Sequence, residues 1–173
     1  MREISNILVP VDFTSCSVCA IDSALAMGVK FGASLHILHC YQIAIHSADD
    51  LSMWAMSKTL DTETSKDERE WLDEFLISSG CATREGIASD SVCGPAFQTI
   101  MEQSVDFDLI VMGTHGRTGV ARMVLGSIAE KVVRDASCPV LIVHDEYARV
   151  AAESQAQGPL ASEDMLSRSS EAS

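Results

Sequence analysis

No apolar run in the 173 residues approaches the ~20 needed to cross a bilayer, so membrane insertion is not expected. Nor is there a Lys/Arg cluster. Twelve basic residues against 25 acidic ones leave a formal net charge of −13, a field that repels nucleic acid phosphates and anionic membrane surfaces. The opening MREISNILVPVD carries charges of both signs and a short apolar run, without the longer apolar region and small-residue cleavage site of an export signal. A cytoplasmic location is the expectation. In that reducing compartment the six cysteines read as buried or free thiols rather than structural disulfides.

Further absences narrow the chemistry. Cys16-Ser-Val-Cys19 stands at an expected helix start, where the dipole can lower a thiol pKa, but no second CxxC or suitable His pair completes a zinc site. Buried small thiols are the favoured reading over redox chemistry. His36 and His39 lie three apart in an expected strand, on opposite faces, and make poor joint metal ligands. No Ser/His/Asp, Cys/His or paired-carboxylate arrangement is evident, so no catalytic residue is assigned. Neither Gly-x-x-x-x-Gly-Lys-Ser/Thr nor Gly-x-Gly-x-x-Gly after the first strand occurs, which disfavours Walker-type and dinucleotide-binding readings.

What is present is an alternation of strand and helix patterns within one domain's length. Residues 4–11 form a branched apolar run that suits a strand buried on both faces. Thr14 and Ser15 are cap candidates for a helix whose apolar residues Val18, Ile21, Leu25 and Val29 run to Gly32. Strands are expected at 35–41, 82–88, 108–112 and 139–144, and helices at 58–79, 95–104 and 127–136, with a loop over 42–57. In the helix at 58–79, Trp71, Leu72, Phe75 and Leu76 form one apolar stripe. This order predicts an open, doubly wound α/β fold with a parallel sheet covered by helices on both faces. Residues 1–145 form the domain; 146–173, rich in Ala, Ser, Glu and Gln, read as a flexible acidic tail, with a partner-binding segment around 160–166 as the alternative.

The segment from Gly113 to Ser127 carries the chemistry. It follows the most apolar strand and precedes a helix, a position where ligands bind in open α/β sheets. Gly113, Gly116 and Gly126 allow tight turns and close backbone approach, and Ser127 with the first-turn amides makes an anion site at the positive end of a helix dipole. Asp12, ending the first strand, flanks the same crevice. His115 is a marginal phosphate donor. On this pattern alone, a plain surface loop and a polyphosphate site remain equal readings.

Three features together resemble the universal stress protein family: ILVPVDF at the first strand, Gly-x2-Gly-x9-Gly-Ser from Gly113 to Ser127, and SIAEKVVRDASCPVLIV running to the last strand. The glycine spacing is similar to that of the ATP-binding branch. The resemblance covers about residues 1–145 and implies a five-stranded sheet of order 3-2-1-4-5. It implies ATP, with Mg2+ as a companion, held by Pro10, Val11 and Asp12 beside the adenine, the backbone at Cys40 near the base, and Met112, Gly113, Gly116, Arg117, Gly126, Ser127 and Ile128 around ribose and phosphates. It also implies a homodimer through Val140, Leu141, Ile142 and Val143, an apolar edge strand that would otherwise invite association. The leading expectation is a stress or signalling module whose ATP occupancy controls conformation or the binding of a protein partner. The alternatives are a slow ATPase or phosphotransferase in the same pocket, and a nucleotide-free dimeric interaction protein.

Overall fold

The computed structural model describes residues 3–42, 58–81, 86–114 and 125–144. Strands and helices alternate along them: β1 (Asn6–Val11), α1 (Ser15–Phe31), β2 (Ser34–Tyr41), α2 (Lys58–Ser78), β3 (Ile87–Cys93), α3 (Ala96–Gln103), a 3-10 turn (Ser104–Asp106), β4 (Leu109–Thr114), α4 (Ser127–Asp135) and β5 (Val140–His144). The five strands form one parallel sheet in the order β3-β2-β1-β4-β5. The parallel sheet is what the alternation predicts, and its strand order is the one the family resemblance implies.

The unbroken apolar run of β1 is buried on both faces. Ile7, Val9 and Val11 pack with Ala20, Ile21 and Ala24 of α1 and with Leu72 and Leu76 of α2. Leu8 points the other way, joining Leu38, Ile110 and Met112 with Ile100 of α3 and with Ala129 and Val132 of α4. So α1 and α2 cover one face, α3 and α4 the other. The chain leaving β1 turns to the first face and the chain leaving β4 to the second, which makes the gap between these neighbouring strands the topological switch point.

Several sequence expectations shift on the structure. The buried face of α1 is a small-residue stripe, Cys16, Ala20, Ala24 and Gly28, with Cys19 and Ile21 beside it, whereas Val29 is 83% exposed. Close approach to the sheet dictates this: a Cβ on Gly28 would fall 2.6 Å from Leu35 Cδ1. On α2, Leu72 and Leu76 are buried as expected, but Trp71 stands outside the stripe at 55% exposure. Thr14 makes no side-chain cap; its hydroxyl instead donates to Asp12 Oδ1 at 2.6 Å. The third strand runs over Ile87–Cys93, past the expected end at 88, after Gly86 turns the chain at φ 81°, and its alternating polar sequence suits an edge strand with one solvated face. β4 runs two residues past Met112, taking Gly113 and Thr114 into the sheet. The expected loop at 43–57, the first residues of the expected third strand at 82–85, and the tail from 145 lie outside the described residues. No helix among the described residues is long and apolar enough to cross a membrane.

Candidate functional site

The site begins with a missing donor. Along β1, Ser5 O accepts from Ser34 N–H on the β2 side and Asn6 O from Asp108 N–H on the β4 side, so even-numbered residues of β1 face β4. Pro10 is even-numbered and has no N–H to give. Pairing with β2 continues through Val11↔His39, while pairing with β4 is confined to Ile7↔Leu109 and Leu8↔Ile110. The crevice between the carboxyl ends of β1 and β4 thus follows from Pro10. Its own side chain, like those of Val11 and Met112, is buried, so these three residues bound the crevice with backbone.

On the β1 side, Asp12 organises the turn into α1. Its Oδ1 accepts from Thr14 N–H at 3.2 Å, the Thr14 hydroxyl at 2.6 Å and the Ser17 hydroxyl at 2.7 Å, while the Ser17 oxygen accepts Asp12 N–H at 3.0 Å. The carboxylate is exposed, yet held in one orientation. Between Asp12 and Thr14, Phe13 sits at φ 62°, a left-handed conformation rare for a bulky residue and costing about 1–3 kcal/mol. Strain of this kind marks a junction that the surrounding structure fixes.

On the β4 side, Gly113 and Gly126 are glycines for different reasons, and neither lies at positive φ. A Cβ on Gly113 would fall 2.5 Å from the carbonyl carbon and 2.8 Å from Cβ of Cys16, so this glycine is required where β4 passes the first turn of α1. Its role in the fold is helix-to-strand packing rather than the tight turn expected of it. Gly126 has φ −57° and ψ 149°, open to any residue, and a Cβ there would meet nothing nearer than Thr114 Oγ1 at 3.8 Å among the described residues. Nothing in the described fold demands glycine at 126.

Gly126 precedes α4, whose first-turn residues Ser127 and Ile128 are exposed. First-turn amides have no partner within their own helix and lie at the positive end of its dipole. Thr114 fixes this end to the sheet, its buried Oγ1 accepting Gly126 N–H at 3.2 Å. Sequence reasoning missed Thr114, Ser17 and Phe13. Thr114 follows Gly113 directly, and an Asp-x4-Ser spacing at a strand-to-helix turn could have flagged Ser17.

Cys40 is the penultimate residue of β2, paired with Val92 of β3, and packs against the core cluster that includes Leu38 and Ile100 of α3. Burial pushes its thiol from 9.0 up to about 11, partly offset by a hydrogen bond with the Thr99 side chain. That thiol is a poor nucleophile, and only its backbone suits a ligand role. Cys16, Cys19 and Cys81 are buried, Cys93 is exposed, and no disulfide links any of the six cysteines. Gly116 and Arg117, with His115, lie outside the described residues. A cavity of about 500 Å³ lined by Asn6, Ser34, His36 and Phe107 opens at the amino ends of the strands, opposite the crevice. No cluster of three or more His, Cys, Asp or Glu among the described residues could hold a metal ion.

Comparison with known proteins agrees with the fold. Universal stress protein MJ0531 of Methanocaldococcus jannaschii is 28% identical over 143 residues, spanning 80% of this chain and 81% of that protein. Universal stress protein YxiE of Bacillus subtilis is 27% identical over 145 residues, spanning 80% of this chain and 98% of its own length. Among solved structures, a universal stress protein in complex with cAMP superposes with a TM-score of 0.61 at 26% identity, over 83% of this chain and 99% of that one. UspA from Lactobacillus plantarum shares the fold at a TM-score of 0.59 and 24% identity, over 83% and 99% of the two chains. The universal stress protein family model matches residues 3–144, and the chain belongs to that family.

Proposed function

We propose that this protein is a nucleotide-binding module that takes ATP at the crevice between β1 and β4, and that occupancy alters its conformation and the partners it binds. The observation that carries the reading is Gly126. It is exposed, has a backbone conformation any residue can adopt, and among the described residues a Cβ there would meet nothing nearer than 3.8 Å, yet it immediately precedes the exposed first turn of α4. A ligand that must approach the backbone accounts for a glycine that the described fold does not require.

The residues fit a polyphosphate. Ser127 and Ile128 offer amides at a helix amino end, Gly126 before them leaves room for close approach while its own N–H goes to Thr114, and Gly113, Gly116 and Arg117 lie in the segment before. Val11, Asp12 and the Cys40 backbone take the base side. The cAMP complex of a 26% identical relative supports an adenine nucleotide as the ligand class. With a net charge of −13, this chain gains from a Mg2+ ion that travels with ATP and screens its phosphates.

Binding rather than turnover is the function we assign. Asp12 Oδ1 is already committed to three donors, which leaves it poorly suited to activating an attacking water. We also propose a cytoplasmic homodimer through β5, an edge strand on which Leu141 is 36% exposed. The test is to denature purified protein, identify any released nucleotide, and titrate the emptied protein with ATP, ADP and cAMP. Released or rebound ATP supports the reading. Absence of both moves the chain to a nucleotide-free interaction role.

A further inference from the structure

His39 of β2 is buried beneath the β1 side of the crevice, with Nδ1 3.1 Å from Val11 O and Nε2 3.2 Å from Glu68 Oε2 of α2. Its ring stacks on Phe13 with centroids 4.1 Å apart and planes at 27°, and Phe13 meets Phe75 of α2 edge-on at 5.3 Å. Phe13 is the residue at φ 62°, directly after Asp12. A bulky side chain keeps such a conformation only where its surroundings hold it. Here the holding groups are identifiable: the Asp12 carboxylate on one side of the turn, and the His39 and Phe75 rings on the other.

The hydrogen bonding of His39 adds a constraint. A carbonyl oxygen is only an acceptor, and so is an ionised carboxylate. The ring thus joins the end of β1 to α2 through one side chain, Nδ1 meeting the Val11 carbonyl and Nε2 the Glu68 carboxyl. No sequence pattern points to this, because Glu68 is 29 residues from His39 and Val11 contributes only backbone.

We propose that His39 is a positioning residue: with Glu68 it holds the junction at Val11, Asp12 and Phe13 in the conformation that receives the base, and so couples the placement of α2 to ligand affinity. The coupling to affinity rests on the nucleotide-binding reading, whereas the positioning is a property of the ligand-free chain.

Two substitutions separate the two contacts. The amide nitrogen of Asn stands roughly where Nδ1 does, and that of Gln where Nε2 does. His39→Asn thus retains a donor for Val11 O, and His39→Gln retains one for Glu68. Both substitutions remove the ring stacked on Phe13, so amide hydrogen exchange at Phe13 and Thr14, measured without nucleotide, is expected to speed up in both, and about tenfold more in His39→Gln, which also loses the bond to Val11 at the junction itself. Glu68→Gln, on the helix rather than in the sheet, keeps a hydrogen-bonding partner for Nε2 and is expected to exchange as wild type does, while Glu68→Ala speeds exchange.

ATP dissociation constants should follow the same order, with urea midpoints measured alongside to separate positioning from general loss of stability. Wild-type exchange in both His39→Gln and Glu68→Ala overturns the proposal, as does equal acceleration in Glu68→Gln and Glu68→Ala. If wild type binds no ATP while exchange keeps the expected order, the positioning stands and the nucleotide reading falls. If ATP binds but affinity ignores the exchange order, the coupling falls.

Discussion

Replacing Gly113 with Ala is expected to destabilise the protein severely. The added methyl carbon would lie 2.5 Å from the carbonyl carbon and 2.8 Å from Cβ of Cys16, with the Cys16 oxygen nearer still. Comfortable carbon–carbon separations are about 3.5–4.0 Å, so β4 and the first turn of α1 would have to part by roughly 1 Å. Overpacking ordinarily costs about 1–3 kcal/mol. Here the obstacle is helix backbone, which no rotamer change can move, so the upper end, about 3 kcal/mol, applies. For a chain of this size, about 2–4 °C per kcal/mol converts that to a melting temperature lower by roughly 6–12 °C. Thermal unfolding followed by circular dichroism, with urea midpoints as a check, measures it. Gly126→Ala is the control: among the described residues its Cβ would meet only Thr114 Oγ1 at 3.8 Å, and the loss of unfolded-state freedom gains up to about 1 kcal/mol. A Gly113→Ala protein as stable as wild type, or a Gly126→Ala protein equally damaged, would refute the distinction between the two glycines.

Leu72→Ala, which removes a fully buried side chain, should cost about 2–5 kcal/mol, whereas Trp71→Ala beside it should stay within about 0.5 kcal/mol; chemical denaturation of the pair tests which residues of α2 face the core. Because burial raises the folded Cys40 thiol from 9.0 to about 11, the unfolded chain ionises first. The thiol's contribution to stability is therefore intact below about pH 9 and lost as pH rises toward about 11, and Cys40→Ala should flatten that part of an alkaline denaturation series. Leu141→Arg on β5 should turn the proposed dimer into a monomer in analytical ultracentrifugation; a wild-type protein that is monomeric at all concentrations would remove the edge-strand proposal.

The central fold was legible because β1 and β4 are apolar on both faces, so that ILVPV and LIVM read as interior strands. The edge strand β3 was misplaced because IASDSVC exposes alternate residues and lacks that signature. On α1 the larger residues Val18, Leu25 and Val29 suggested the buried face, but helix-to-sheet distance decided the matter. Cys16 against Gly113 and Gly28 against Leu35 require small residues at the contact. At the site, the glycine spacing and Asp12 could be seen in one dimension. Thr114, Ser17 and His39 act through neighbours brought by the fold, and the part played by Pro10 emerges only once its parity along β1 aims it at β4.

The most direct test of the account is calorimetric titration of nucleotide-free wild type and Gly126→Val with ATP, in the presence and absence of Mg2+. The account predicts saturable binding to wild type and none to Gly126→Val, with the variant's melting temperature within a few degrees of wild type because, among the described residues, a Cβ at residue 126 meets nothing nearer than Thr114 Oγ1 at 3.8 Å. Wild-type affinity retained by a folded Gly126→Val protein would contradict the assignment of the crevice beside α4 as the nucleotide site.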